Sequence, residues 1–455
     1  MLEPLSLKAL SVLLRADYQP FSWAEAEALR IHQVGTDTRA DLSGGLFVAL
    51  KGPRFDGHDY LQQAQQAGAL AALVERPVES ELPQLCVDST LQSLTQLASH
   101  QRDAFTGQLV AITGNSGKTS VKTLLAALLN AEQGPVLATQ GNLNNHIGVP
   151  LTLCRLTPQN PWAVIELGAN HLGEIDALAR WVRPHLAIIT NVTGAHLGEF
   201  GSMQAIAQAK GELLDHRAPG GEAILNAEDT FFPEWKRRAG GSCLSFGLQR
   251  GDVHCQSWHL DSLGQPHFQL NSPWGQMPMF LPWPGQHNIA NALAAIAAAG
   301  LAGVSLDSMR ETLANLPSVE GRLRRLPGPK GSQILDDSYN ASPGAVKAVI
   351  DLLAQLPGRR ILVLGPLAEL GELSPSIHQE LGDYARQLQL DDLWVLQGDT
   401  DHSAQAFGPK ARIFSDHASL AQALIQQLDA NTTCLIKGSR SAKMDKIVQS
   451  LTSEA

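Results

Sequence analysis

The stretch Leu109-Val-Ala-Ile-Thr-Gly-Asn-Ser-Gly-Lys-Thr-Ser120 constrains the fold more than any other part of the chain. Leu109 to Ile112 are apolar and partly β-branched, with a glycine close behind, as in a short buried strand. After Lys118, the residues Val121, Leu124, Leu125, Leu128 and Leu129 recur at helical spacing. A strand therefore enters a glycine turn and leaves it as a helix, which is the context a phosphate loop needs. Glycines let backbone N–H groups converge on an anion, and the helix N-terminus adds partial positive charge. Lys118 supplies a full charge, and the Thr119 hydroxyl can hold Mg²⁺. The glycine spacing is shorter than in G-x-x-x-x-G-K-[ST], because the first glycine of that pattern would fall on Ile112. The competing reading is a plain glycine turn before a surface lysine. Strand, turn, Lys-Thr pair and helix together favour the phosphate loop.

The chain has 455 residues, which at roughly 150 per domain suggests three domains. The net charge of −10, with no Lys/Arg block to offset it, argues against a nucleic-acid partner. Small anions can still be bound by local positive charge. Cys86, Cys154, Cys243, Cys255 and Cys434 are scattered without a C-x-x-C pair. They read as reduced thiols, mostly buried, rather than a disulfide frame or a zinc site. Glu3, Lys8 and Arg15 among the N-terminal leucines mark an amphipathic helix, not a signal peptide. The longest apolar run, Ala292 to Val304, is too short to span a membrane. The expectation is a cytoplasmic protein without a membrane partner.

Alternating strand and helix patterns predict three α/β units, at 1–104, 105–317 and 318–455. In the first, Thr38 and Arg39 lie in a polar loop, and Lys51 follows the strand at Leu46–Leu50. Arg39 and Lys51 could hold a diphosphate or be solvated surface charges. In the second, the Asn- and Gly-rich run Gly141–Pro150, with Asn145, is a plain loop or a set of amides around a polar ligand. The strand Trp162–Ile165 ends at Glu166, which either serves a site at the sheet's carboxyl edge or caps the next helix. His196 follows the strand Leu186–Thr190 and is either a loop residue or a ligand. Lys210, in a helix over Met203–Leu214, reads on composition as an exposed charge. Residues 221–285 predict an antiparallel excursion packed on the main sheet. Asn288 and Asn291 share a helical face and could read a purine edge or cap the helix. In the third unit, strands at Gln333–Leu335, Ile361–Leu364, Leu393–Leu396, Arg412–Phe414 and Thr433–Ile436 alternate with helices, predicting a parallel sheet.

Seven short series stand in one order along the chain: Thr113-Gly-Asn-Ser-Gly-Lys-Thr119, Glu166-Leu-Gly-Ala-Asn, Asn191-Val-Thr-Gly-Ala-His196, Ala209-Lys210-Gly-Glu-Leu, His287-Asn288-Ile-Ala-Asn291, Gly321-Arg322-Leu and Asp336-Asp337-Ser-Tyr-Asn-Ala-Ser-Pro343. In order and spacing they resemble the signature of the Mur ligases, ATP-dependent amide-forming enzymes that build the peptidoglycan precursor. The resemblance covers nearly the whole chain. It implies an N-terminal α/β domain for a UDP-linked substrate, a central P-loop-type ATPase domain with a mostly parallel sheet, and a C-terminal Rossmann-like α/β domain for the amine substrate.

Within the family, the run Gly141–Pro150, the series Phe47-Val-Ala-Leu-Lys-Gly and Phe55-Asp-Gly-His58, and Lys437-Gly-Ser-Arg440 point to addition of D-alanyl-D-alanine to UDP-N-acetylmuramoyl-tripeptide. The resemblance also implies roles. Gly114, Asn115, Ser116, Gly117, Lys118, Thr119 and Ser120 would cradle ATP. Asn288 and Asn291 would contact adenine, Asp337 the ribose and Arg322 the phosphates. Two Mg²⁺ ions would be held by Thr119, Glu166, His196 and Lys210, the last as a CO2-derived carbamate. Lys118, Lys210, His196 and Arg322 would be catalytic. Thr38, Arg39 and Lys51 would lie by the UDP end, and Asn145 by the acyl substrate. Tyr339 and Ser439 are expected by position to meet the amine. A monomer acting on small molecules is expected. The alternatives are a sibling ligase that adds one amino acid, such as folylpolyglutamate synthase or another Mur ligase, and a P-loop NTPase without ligase activity.

Overall fold

A computed structural model describes residues 1, 3–19, 23–193 and 197–452. Apart from the short antiparallel pair Leu5–Ser6 and Arg30–Ile31, its strands fall into three large sheets that follow one another along the chain. The first has the order Asp17–Gln19, Gln84–Cys86, Ala69–Val74, Gly45–Val48, Gln33–Gly35. Asp17–Gln19 joins antiparallel and the other neighbours run parallel.

The second sheet has nine strands, and the predicted phosphate-loop strand, Gln108–Thr113, lies between Leu186–Ile189 and Trp162–Glu166 in parallel register. Its side chains alternate between two cores, as a strand buried on both faces requires. Val110 and Ile112 pack with Val121, Leu124 and Leu125 of the helix Lys118–Gln133, and with the Ala-rich helix Gln286–Leu301. Leu109 and Ala111 face a second core, shared with the helices Thr90–Ala104 and Glu174–Val182. That core also takes in Leu46, Leu73 and Leu85 of the first sheet, so the N-terminal unit is seated on the central one through apolar contact.

The predicted excursion at 221–285 is only partly antiparallel. Glu222–Asn226 and Cys243–Gly247 continue the central sheet in parallel, and Val253–Leu260 still joins parallel. Only from there do Pro266–Ser272 and Gly275–Phe280 fold back antiparallel. The first two strands are separated by the helix Phe232–Arg238, which makes a parallel crossover possible; the last three are joined by tight turns, which forces antiparallel pairing.

The third sheet has the order Arg324–Pro327, Gln333–Asp337, Thr432–Lys437, Arg359–Leu364, Asp392–Leu396, Ala411–Phe414. Apart from the first pair it is parallel, as the alternation predicts. The cysteines are free, with Cys154, Cys255 and Cys434 buried. Among the described residues no helix is long and apolar enough to cross a membrane.

Candidate active site

Three central strands, Gln108–Thr113, Trp162–Glu166 and Leu186–Ile189, end side by side. The segments that follow them wall a cavity of about 1050 Å³. Its opposite wall comes from the carboxyl ends of Gln333–Asp337, Thr432–Lys437 and Arg359–Leu364 in the third sheet. Open α/β sheets bind ligands at this edge.

The loop Gly114–Lys118 has the shape the sequence predicts. Gly114 and Gly117 have φ of 137° and 82°, values that side chains with a Cβ rarely adopt. A Cβ on Gly114 would lie 2.0 Å from Thr190 Oγ1, and one on Gly117 would lie 2.2 Å from Asn291 Oδ1. Neighbouring strands hold the loop from outside. Thr190 Oγ1 donates to Ser116 O (2.7 Å), and Ser116 N donates to Asn191 Oδ1 (3.0 Å). Lys118 folds back so that Nζ donates to Gly114 O (2.8 Å) and Asn115 O (3.3 Å). Burial lowers its pKa; Glu166 opposes that, Arg322 adds to it and Glu369 opposes it again.

Glu166 is 3% exposed. Thr119 Oγ1 donates to its Oε2 (2.9 Å) and Asn144 Nδ2 to its Oε1 (2.9 Å). Its oxygens thus serve the cavity, and of the two readings open in the sequence the helix cap is not the one adopted. Lys122 Nζ lies 3.9 Å from the same carboxylate and donates to Thr139 O (2.8 Å). Arg322, from the start of the third unit, donates from Nη2 to Thr119 Oγ1 (3.1 Å) and stacks on the Tyr339 ring at 4.5 Å. Asp337 lines the cavity and is ion-paired to Lys437, which also donates to Asn340 O (3.0 Å).

Lys210 corrects the composition-based reading of an exposed charge. It is 1% exposed, because the inner face of its helix, Met203–Gly211, packs Ile206, Ala207 and Ala209 against the core. Its Nζ donates to Ala169 O (3.3 Å) and lies 5.5 Å from the Phe200 ring. Burial pushes its pKa down to about 7, helped by the positive charge of Lys118 and opposed by Glu174 and Glu212. Lys210 does not itself line the cavity, but Ala169, to which it is bonded, does.

The remaining predicted residues divide. Asn288 lines the cavity; Asn291 lies behind the phosphate loop. Their amide hydrogens are used internally, Asn288 Nδ2 on Pro284 O (2.7 Å) and Asn291 Nδ2 on Asn288 Oδ1 (3.0 Å). Asn145 lines the cavity and accepts from Ile147 N (3.1 Å) and Gly148 N (2.9 Å), just before the helix Gly148–Leu153. Thr38, Arg39 and Lys51 do not line this cavity. Arg39 makes a two-pronged pair with Asp37 (2.8 and 2.7 Å), which holds the Asp37 carboxyl down at about 2. Ser439, expected by position to meet the amine, is 2% exposed and gives its hydroxyl to Pro366 O (2.6 Å). His196 lies outside the described residues.

Four residues that the sequence reading did not single out complete the site: Asn144, Lys122, Thr190 and Asn191. Lys122 stands one turn after Lys118, so helical spacing alone could have placed it over the loop. Asn144 carried no distinguishing signal among the asparagines around it.

The residues fit a bound nucleotide triphosphate. The loop is a backbone cradle that a Cβ would fill, and Lys118 and Arg322 bring cationic groups to it. Thr193 Oγ1, at the cavity wall, is buried without a partner among the described residues. Among the described residues no group of three or more His, Cys, Asp or Glu side chains is arranged to hold a metal.

Comparison with known proteins agrees with this arrangement. The Mur ligase middle domain matches residues 112–299, the Mur ligase glutamate ligase domain 321–440 and the Mur ligase family catalytic domain 30–102. The chain is 42% identical over 428 residues to the UDP-N-acetylmuramoyl-tripeptide–D-alanyl-D-alanine ligase of Escherichia coli, covering 93% of this chain and 94% of that protein. A crystal structure of MurF from Acinetobacter baumannii superposes with a TM-score of 0.90 at 35% identity, covering 99% of both chains. The MurF ligase of Thermotoga maritima, solved with ADP, superposes at 0.81 with 29% identity, over 93% of this chain and 97% of that one.

Proposed function

The chain belongs to the Mur ligase family, and from that premise we propose that it joins D-alanyl-D-alanine to UDP-N-acetylmuramoyl-tripeptide. It is an ATP-dependent, ADP-forming ligase. The observation that carries the reading is the hydrogen-bonded chain Thr119–Glu166–Asn144, which ties the phosphate loop to the Asn-rich loop inside a cavity walled by two sheets.

A carboxylate is a poor acylating agent. Transfer of the γ-phosphoryl of ATP to it gives an acyl phosphate, and attack by the amine then forms the amide and releases phosphate. Lys118 leaves its two loop carbonyls for the phosphates, and with Arg322 it offsets the charge spread over the transferring group. Asn288, backed by Asn291, meets adenine, and Asp337 the ribose. Thr38, Arg39 and Lys51 serve the UDP end, and Asn145 the acyl end. Thr119 and Glu166 would hold one Mg²⁺, and His196 with a carbamylated Lys210 a second, and these ions would further neutralise the phosphates. Lys210 is suited to modification by CO2: burial keeps much of its amine neutral near pH 7, and only the neutral amine can add to CO2, losing a proton to give an anionic carbamate. His196 assists deprotonation of the incoming amine. Acyl phosphate and amine held together supply much of the rate.

The test is phosphate release from ATP and Mg²⁺ across a matrix of substrates. Release that needs both the tripeptide nucleotide and D-alanyl-D-alanine, with the matching mass gain, is the expected outcome. Release with a single amino acid and a shorter acceptor, or with no acceptor, would overturn the substrate assignment.

A further inference from the structure

A buried histidine in the first unit joins a substrate-side loop to the frame behind it. The parallel strands Gln33–Gly35 and Gly45–Val48 are neighbours, so the loops that leave their carboxyl ends share one edge of the first sheet. One loop carries Thr38 and Arg39, the other Lys51 and Arg54. Open α/β sheets bind ligands at such an edge. The second loop is a tight hairpin. Lys51 pairs with Asp56 across a single antiparallel bridge, Gly52 N donates to Phe55 O (2.9 Å), and Gly57 N donates to Leu50 O (2.8 Å). A Cβ on Gly57 would lie 2.7 Å from Leu50 O, so the two arms touch.

His58 follows the hairpin and is 1% exposed. Its Nε2 accepts from Glu75 N (2.8 Å), so the ring proton sits on Nδ1 and is donated to Asp56 Oδ1 (2.6 Å). The same Asp56 oxygen accepts from His58 N (3.0 Å). The far end of this link is anchored. Glu75 directly follows the strand Ala69–Val74, and its Oε1 accepts from Thr90 N (2.9 Å) and Thr90 Oγ1 (3.0 Å) at the start of the helix Thr90–Ala104. That helix packs Leu94, Leu97 and Ala98 into the core shared with the central unit. Near its end, Arg102 donates from Nε to Val182 O (2.7 Å) and from Nη2 to Arg183 O (2.9 Å). Hairpin, ring, strand end and helix therefore form one path from Lys51 to the central unit. Arg76 also reaches Asp56 Oδ2 (3.0 Å), but its side chain is 53% exposed, and exposed pairs hold little.

We propose that His58 is a positioning residue for the UDP-linked acceptor: its ring fixes the hairpin that carries Lys51 against the frame, and it acts through Lys51. The inference rests on the function proposed above, in which Lys51 serves the UDP end. A neutral imidazole suits the task because it donates from one nitrogen and accepts at the other, in two directions fixed by a rigid ring. An apolar ring could fill the same space, but it would leave the hairpin to Arg76 and to its own backbone bonds.

The experiment is steady-state kinetics of the full chain, with UDP as a competitive inhibitor against the acceptor. Asn places its amide nitrogen near the position of Nδ1, and Gln its amide oxygen near that of Nε2. His58→Asn therefore keeps the bond to Asp56, and His58→Gln keeps the bond from Glu75 N. KM for the acceptor and Ki for UDP should rise together, about 2- to 10-fold in His58→Asn and about 10- to 100-fold in His58→Gln. These are the ranges for losing a neutral hydrogen bond and one to a charged group. KM for ATP and for D-alanyl-D-alanine should stay within about twofold. In a Lys51→Gln background the same substitutions should change both constants less than about twofold, because the cation they misplace is gone. A role confined to stability would lower hydrogen-exchange protection in every background and leave Ki for UDP unmoved. The proposal falls if Ki for UDP is unchanged in both variants, if KM for ATP shifts in step, or if the effects persist undiminished beside Lys51→Gln. A wild type that neither uses the UDP-linked acceptor nor is inhibited by UDP overturns the proposed function; an active, UDP-inhibited wild type with unshifted variants overturns the role of His58 alone.

Discussion

Replacing Lys210 by Met should stabilise the unmodified protein, by an amount that depends on pH. Burial pushes the Lys210 ammonium from 10.5 down to about 7, whereas in the unfolded chain it titrates near 10.4. Between these values the unfolded state binds the proton more readily. Folding is therefore penalised as pH falls through 10.5, and the penalty levels off below pH 7. Linkage gives about 4 kcal/mol at pH 7 and about 1 kcal/mol at pH 9.5. Met has a similar shape and can keep the packing against Phe200, but it loses the hydrogen bond to Ala169 O, worth about 1 kcal/mol. The net gain is about 3 kcal/mol at pH 7 and close to zero at pH 9.5. Whole-chain unfolding of a protein with three sheets is not two-state, so the assay is amide hydrogen exchange across the helix Met203–Gly211 in CO2-free buffer. Added bicarbonate should shrink the gain by converting the wild-type cation to an anion, and ligase activity should be lost in the variant. A gain equal at both pH values, or a loss at pH 7, would refute the view that Lys210 is a desolvated cation.

Gly117→Ala forces a side chain into φ of 82° and places Cβ against Asn291; the strain of about 1–2 kcal/mol is relieved by a shift of the loop, and equilibrium dialysis should show ATP binding weakened more than tenfold. Lys437→Met leaves the Asp337 carboxylate without its cation, and hydrogen exchange of the strands Gln333–Asp337 and Thr432–Lys437 should report a loss of about 3–5 kcal/mol. Most of it should return in Lys437→Met/Asp337→Leu, and a single variant as protected as the wild type would contradict the pairing. Asn144→Ala frees one oxygen of Glu166 and should lower kcat about 10- to 100-fold with little change in KM for the UDP-linked acceptor.

Local pattern was enough for the phosphate loop. The strand, the two glycines and the helical leucines lie within one continuous stretch, and its conformation follows from residues that are neighbours in sequence. The parallel third sheet was legible for the same reason, because each strand and helix carries its own period. Three things were not legible. The strand directions within 221–285 depend on where each strand docks on the sheet, which periodicity does not report; Cys243–Gly247 and Val253–Leu260 pair in parallel across the short connection 248–252. The burial of Lys210 depends on what its helix packs against, since a lysine in a helix looks the same in sequence whether that face meets water or core. The donors to the Glu166 carboxylate come from Thr119 and Asn144, 47 and 22 residues away. The sequence by itself determined the local conformations and the chemical inventory, because backbone dihedrals and side-chain type are properties of short segments. Only the tertiary structure decided which charges are desolvated, which amides are spent on the scaffold and which loops share a wall, because each of these is set by contacts between segments far apart in the chain.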